Sequence, residues 1–444
     1  MLFRRLEFKF SSLVLLLLLQ ILLMVCYILM VPFSHHQVTT VNTNLQSVKF
    51  LSLPYQEPTA KQDVQKFFSE SSSIILPETT HDPYFYTINS TTCFILGTEL
   101  GYMRRRGNIT RCECKKGWHG TDCGLPEVMW RAFMASKRKI LPRRRLQPRR
   151  VIYGFPVIGK ETQLAEITLH ELFKVVDLYV VCESNYTRLG EQKKLYFKNR
   201  LMKHFLKGTE HKILYLSADV YKQQSKITSD TYFNHLERIV WSKSISTIKN
   251  LHSDDLFVVM NAYEIPNAKA ILYLKLYDGW PQPVGFRLRW SAYGFFWQHP
   301  KKTVVVPRGA TAQLMKDLYH SDAGSHRGDK DHRTWREFKM VVGDLNHYGG
   351  WYCSWCLEPS AIVDTLAQTP PSASPVLWSA GDHKVVDSRY VEDLIGTGIW
   401  LDGKTPLLRC YRHRDPYFAP EYVMNNTWMY DSLITNFYSD IDYN

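Results

Sequence analysis

The sequence predicts an α/β domain built on a parallel sheet and carried on a membrane anchor. Three observations predict it. From residue 150 onward, short apolar runs alternate with segments of helical spacing, the pattern of strands wound by right-handed crossovers. Leu256 to Met260 is an unbroken apolar run with two β-branched residues, which suits a strand buried on both faces. Asp254 and Asp255 precede that run, and polar Asn261, Tyr263 and Glu264 stand at its carboxyl end, where open α/β sheets bind ligands.

The chain has 444 residues, enough for two or three domains. Apolar residues make up 45% and aromatics 14%, so a large core is available and global disorder is excluded. The formal net charge is +13, and much of it is local, in Lys137, Arg138, Lys139, Arg143, Arg144, Arg145, Arg149 and Arg150. A nucleic-acid patch would interleave aromatics for base stacking, and few are there. The stretch 127–149 therefore reads as a basic linker, with no nucleic-acid partner.

Leu13 to Val31 is apolar except for Gln20, carries no charge and is closed by Pro32. At helical rise it approaches the ~30 Å hydrocarbon core of a bilayer. A cleavable signal peptide would have a shorter apolar region and a small-residue cleavage site, whereas Val31-Pro32-Phe33 is a poor one. Arg4, Arg5 and Lys9 precede the span and stay cytoplasmic by the positive-inside rule. The expectation is a tail over 1–12, a signal anchor over 13–31 and a lumenal body. Glycosylation sequons at Asn89, Asn108, Asn185 and Asn425 agree with that compartment. Residues 32–88, rich in Ser, Thr, Gln and Pro, read as a flexible stem.

Residues 89–126 hold Cys93, Cys112, Cys114 and Cys123. The pattern C-x-C-x-x-G-W-x-G-x-x-C resembles the carboxyl-terminal half of an epidermal-growth-factor-like module. By analogy with that module, Cys114 pairs with Cys123 and Cys93 with Cys112. Zinc ligation is the alternative, and an oxidising lumen favours disulfides.

In the large domain, 150–444, strands are expected over Val151 to Val157, Asp177 to Cys182, Lys212 to Leu216, Leu256 to Met260 and Gly285 to Phe296. Helices are expected over Glu161 to Val176, Leu195 to Leu206, 231 to 250 and Ala268 to Leu276. No G-x-G-x-x-G or Walker pattern appears, so a dinucleotide or P-loop site is not supported. Cys353-Ser354-Trp355-Cys356 lacks a second C-x-x-C and a thioredoxin-like setting. Structural disulfides involving Cys182, Cys353, Cys356 and Cys410 are the expectation. The many Trp and Tyr residues suit either a core or stacking on sugar rings.

These residues also carry a resemblance. The matching stretches are Val181-Cys182-Glu183-Ser184-Asn185-Tyr186-Thr187, Leu274-Lys275-Leu276-Tyr277-Asp278-Gly279-Trp280, Tyr293-Gly294-Phe295-Phe296-Trp297 and Gly350-Trp351-Tyr352-Cys353-Ser354-Trp355-Cys356. Weaker ones are Trp400-Leu401-Asp402-Gly403 and Ala419-Pro420-Glu421-Tyr422. The chain resembles the β-1,4-mannosyl-glycoprotein 4-β-N-acetylglucosaminyltransferases, which add the bisecting N-acetylglucosamine to N-glycans. The resemblance implies a GT-A-like nucleotide-diphospho-sugar transferase fold, UDP-N-acetylglucosamine as donor, N-glycans of glycoproteins as acceptors, and a single-pass type II Golgi address.

It also implies an acidic cluster, D-D-A-D-E-I-P, where this chain has Met260-Asn261-Ala262-Tyr263-Glu264-Ile265-Pro266. Manganese or magnesium would then be held by Glu264 and the carbonyl oxygen of Asn261 alone, a weak set for a hard cation. Cationic side chains could stand in, with Arg289 and Arg287 the candidates. Donor contacts are expected from Asp255, Asn261 and Arg289. For the base that takes the acceptor's proton, Glu264 comes first, then Glu183 and Asp402. Each could equally be a structural carboxylate. The damaged cluster leaves two alternatives: an impaired relative that binds glycans or a partner, and an adhesion protein using the cysteine module.

Overall fold

Alternation decides how the central strands sit. In Val151 to Val157 the odd residues Tyr153 and Phe155 face one layer and Ile152 faces the other, and both layers are apolar, so the segment is buried on both faces. The structure, a computed structural model, describes residues 20, 50–53, 73–79, 84–88, 90–101, 111–136, 140–203, 206, 208–218, 229–320, 339–369 and 386–439. Apart from Gln20 these belong to one unit, Ser47–Asn444. The tail, the anchor other than Gln20, Asn89, Asn108 and Lys137 to Lys139 lie outside the described residues. Among the described residues no helix is long and apolar enough to cross a membrane.

Among the described residues the large sheet has 11 strands. In chain order they are β1 (Phe50–Leu53), β2 (Val151–Val157), β3 (Leu178–Ser184), β4 (Ile213–Ala218), β5 (Leu256–Val259), β6 (Glu264–Pro266), β7 (Val284–Ala292), β8 (Gly294–Thr311), β9 (Met340–Val342), β10 (Gly350–Ser354) and β11 (Leu408–Arg409). The spatial order is β1-β4-β3-β2-β5-β8-β7-β10-β6, with β9 beside β7 and β11 beside β8. From β1 to β5 every pairing is parallel. The sheet as a whole is mixed, which corrects the expected parallel sheet. The predicted strand Gly285 to Phe296 is a strand as far as Ala292 and then runs through a hairpin: the chain reverses at Tyr293, whose φ is 60°, Gly294 begins the next strand, and hairpin arms can only pair antiparallel.

Helices cover both faces. They include α1 (Glu127–Ala135), α2 (Thr162–Glu171), α3 (Tyr196–Leu201), α4 (Ser229–Thr247) and α5 (Ala268–Leu276). The Asn267 side chain accepts from the Lys269 and Ala270 amides and so starts α5 where the sequence predicts. α4 lies close on the sheet: a Cβ on Gly154 would stand 2.3 Å from Val240, so only glycine fits there. At the far end of the chain the Tyr422 ring stacks on His170, and its amide donates to Glu171 at 2.7 Å.

Three expected segments are corrected. The stem, 32–88, is not wholly a tether. Residues 50–53 form β1, Leu76 is buried in the α4 layer, and Phe85–Ile88 pairs with Thr91–Phe94. The basic linker, 127–149, holds α1, whose Val128, Met129 and Ala132 are buried. Two of its arginines are spent internally: Arg145 pairs with Asp254 and Asp278, and Arg149 donates to the carbonyls of Leu274 and Tyr277. Disulfides join Cys93 to Cys112, Cys114 to Cys123 and Cys353 to Cys356, while Cys182 and Cys410 are free. Cys182 lies mid-strand in the core, where burial pushes its thiol up to about 12, so it is a neutral core residue.

Arg150 and Asp255 form a bidentate pair, Nε to Oδ1 at 2.9 Å and Nη2 to Oδ2 at 2.6 Å, with both side chains almost wholly buried. Breaking such a pair leaves a buried charge alone. Arg150→Met is expected to lower stability by about 3–5 kcal/mol, read as a fall in the denaturant midpoint at unchanged slope.

Glu171 gives a second test. Burial is the main cause that raises its carboxyl from 4.5 to about 7, against the hydrogen bond from Tyr422. The folded state therefore holds this proton more tightly than the unfolded chain. Its stability contribution is full below pH 4.5 and is lost as pH rises through about 7. Glu171→Gln, neutral at every pH, should melt like the parent at pH 4.5 and above it at pH 8, in thermal scans across that range.

Candidate active site

Because β2, β3 and β5 are parallel neighbours, their carboxyl ends open on one edge of the sheet. Loops leave there toward a cavity of about 250 Å³. Gly159 and Glu161 follow β2, Thr187 and Arg188 follow β3, Tyr263 follows β5, and Tyr352 to Trp355 close the far wall from β10. Glu161 accepts the Ile158 and Gly159 amides at 2.7 and 2.8 Å and fixes the first loop. The Cys353–Cys356 disulfide lies in the wall. A larger cavity, about 520 Å³ around Arg287 and Lys339, lies away from these strand ends.

Glu264 stands at the turn after β5 and is 3% exposed. Its Oε2 accepts the Asn261 amide at 2.9 Å and its Oε1 accepts Asn261 Nδ2 at 3.3 Å. It sits across from Tyr352, a wall residue. Burial raises its pKa above the usual carboxylate value, with Arg308 pulling the other way. Arg308 Nε lies 3.7 Å from Glu264 Oε2, and its Nη1 donates to Glu237 of α4 at 2.7 Å. Burial acts against the charge of Arg308, but Glu237 and Glu264 more than offset it and raise its pKa above the usual arginine value. Tyr263 is held neutral, its pKa far above the usual phenol by burial.

Of the residues expected here, only Glu264 and Asn261 meet at the strand end. Asp255 is at the other, amino end of β5, tied to Arg150 and to the His252 amide. Arg289 is fully buried two strands away. It donates to Ser291 Oγ and to the Phe295 and Phe418 carbonyls, and pairs with Asp415 at 3.1 Å, so it anchors the carboxyl-terminal segment. Arg287 donates to Thr303 at 3.2 Å. Glu183 accepts the Phe197 and Lys198 amides and the Tyr215 hydroxyl, at 2.9, 3.0 and 2.8 Å: it begins α3. Asp402 closes a turn by accepting from the Lys404 and Thr405 amides and the Thr405 hydroxyl; burial resists its charge, but the bonds from Thr405 and Lys404 hold its carboxyl below the usual range. Asn425 is exposed, whereas Asn185 is half-buried beside the cavity. Sequence reasoning missed Arg308. Its one signal is a lone arginine between apolar Val304 to Val306 and Ala310.

A divalent cation does not fit this strand end. A hard cation needs several charged oxygens. One carboxylate is present, already taken by Asn261 and facing a guanidinium. Asn261 Oδ1 makes no hydrogen bond among the described residues, but a single neutral amide adds no charge. Among the described residues the group with metal-like spacing is His252, Asp254 and Asp255, at the opposite strand end, where Arg145 and Arg150 already hold both aspartates.

Residues 142–365 match the family model described as Glycosyltransferase family 17. The chain belongs to glycosyltransferase family 17. It is 33% identical over 356 residues to the proteins named β-1,4-mannosyl-glycoprotein 4-β-N-acetylglucosaminyltransferase from Rattus norvegicus and Mus musculus, covering 77% of this chain and 64% of theirs. The Homo sapiens protein of that name is 33% identical over 350 residues, covering 76% of this chain and 64% of its own length. The chain thus spans just under two thirds of the length of these relatives. The region matched by the family 17 model contains β2 to β5, α4, Glu264, Arg308 and the β10 wall, and ends before Asp402 and Asn425.

Proposed function

We propose that the chain is a type II Golgi membrane enzyme that transfers N-acetylglucosamine from UDP-N-acetylglucosamine, in β-1,4 linkage, to the core β-mannose of N-glycans. The observation that carries this reading is the cavity at the carboxyl ends of β2, β3 and β5, within a chain that belongs to family 17. The names of the relatives supply the donor sugar and the linkage, and the apolar run Leu13 to Val31 supplies the anchor. The aromatic wall of Tyr263, Tyr352 and Trp355 offers apolar ring faces with polar edges, a surface suited to a sugar.

The reaction is an inverting displacement. The acceptor hydroxyl oxygen bonds to the anomeric carbon, the bond from that carbon to the β-phosphate oxygen breaks, and UDP departs with the electron pair. The hydroxyl proton passes to a carboxylate, and Glu264 is the expected one that stands at the strand end. Burial, by raising its pKa, makes it a stronger base than an exposed glutamate. The glycan-binding and adhesion alternatives have no observation in their favour beyond the altered cluster.

The full-length protein in detergent, given UDP-N-acetylglucosamine and an N-glycan with a free core β-mannose, is expected to form one product. Linkage analysis should find N-acetylglucosamine β-1,4 on that mannose. Transfer to another position, or none with any of a panel of nucleotide sugars, overturns the reading.

Glu264→Gln should lower kcat by about 10²- to 10⁴-fold, the usual range for a proton-transfer group, while KM for the donor stays near the parent value. Asp402→Asn should leave the rate close to the parent's. Equal losses in both variants would argue against Glu264 as the base.

A further inference from the structure

The strand end that rejects a metal holds a positive charge of its own, placed there by an irregularity in the sheet. β7 and β8 lose register at one point: Val284 pairs with Gly309, and Gly285 pairs with Pro307. Arg308 between them is the extra residue of a β-bulge. Bulges re-aim a side chain and cluster beside active sites. On its other side β8 pairs with β5, Gly309 opposite Val258, so Arg308 comes one residue later, at the carboxyl end of β5. The bulge delivers a guanidinium to the point where the expected acidic cluster is missing.

Taking the donor reading above as given, we propose that the diphosphate of the nucleotide sugar is bound and neutralised here by Arg308, without a divalent cation. Glu237, 2.7 Å from Nη1, and Glu264, 3.7 Å from Nε, fix the guanidinium and leave Nη2 without either carboxylate. The side chain keeps 22% of its surface open, while its Nε is buried and makes no hydrogen bond among the described residues. A planar guanidinium matches two phosphate oxygens at once, which an ammonium cannot do. A divalent ion bound at Glu264 would lie within a few ångströms of this fixed positive charge, with one carboxylate to offset both. When UDP leaves, Arg308 balances the charge that builds on its β-phosphate.

Titration calorimetry of the full-length protein with UDP tests this, once in EDTA and once with manganese. The affinity should be the same in both, within about twofold. Arg308→Gln should weaken UDP by about ten- to a hundred-fold in both, the size of one charged hydrogen-bond pair. Arg308→Lys, which keeps the charge and the contact with Glu237, should fall between, and serves if the glutamine variant does not fold. Manganese alone, followed by paramagnetic resonance, should keep its free-ion signal in the presence of the protein. A tenfold loss of UDP affinity in EDTA, or parent-like affinity in both arginine variants, overturns the proposal and leaves the donor reading standing. No UDP binding by the parent under either condition overturns both.

Discussion

The buried pair of Arg150 and Asp255 fixes the frame on which the rest depends. The two residues begin β2 and β5, and the Leu256 amide donates to the Arg150 carbonyl at 2.9 Å. The pair therefore sets the register of the two central strands at their amino ends. A slip by one residue would turn every core side chain to the wrong layer and separate this charge pair. With the amino ends locked, the carboxyl ends fall level, and the loops carrying Glu161 and Tyr263 reach one cavity. The pair also captures the Leu76 carbonyl at 3.4 Å and the Asn250 carbonyl, so the chain before the domain and the end of α4 are held at the same point.

Much of this frame was legible in the sequence. Val151 to Val157 and Ala268 to Leu276 occur as expected because their signals are local: an apolar run for the strand, and helical spacing with an asparagine cap for the helix. The hairpin was not legible. Its reversal is at Tyr293, which adopts φ 60° without being glycine, and the helpful glycine comes one residue later. The polar residues were harder still. Glu183 looks like a ligand at a strand end, and its occupation by the first amides of α3 depends on how that helix packs. Arg308 is more than forty residues beyond Glu264 in the chain. Only the pairing of β8 with β5, and one bulge, bring the two together, and neither is written in local periodicity.

Charge at both ends of the central strands follows one logic. Glu264 and Glu237 face Arg308, Asp254 and Asp278 face Arg145, and Asp255 faces Arg150. Arg145, Arg149 and Arg150 of the basic stretch are taken up in such pairs, so these charges serve structure rather than a polyanion. The cysteine-rich segment is tied to the body in the same manner. Tyr277 donates to Asp122 at 2.7 Å, and His119 bonds to Glu127 at 2.6 Å, while Phe94 enters the main core. It is part of the body, not a bead on a string.

The seating of β1 beside β4 has a consequence for cleavage of the chain. β1 covers the outer edge of the parallel half of the sheet. A protease that cut the chain after Leu53 would strip that cover and bare the amides and carbonyls of Ile213–Ala218, an apolar edge ready to pair with another molecule. A cut ahead of Phe50 therefore leaves this edge covered, whereas a cut between β1 and Leu76 would yield a body prone to self-association.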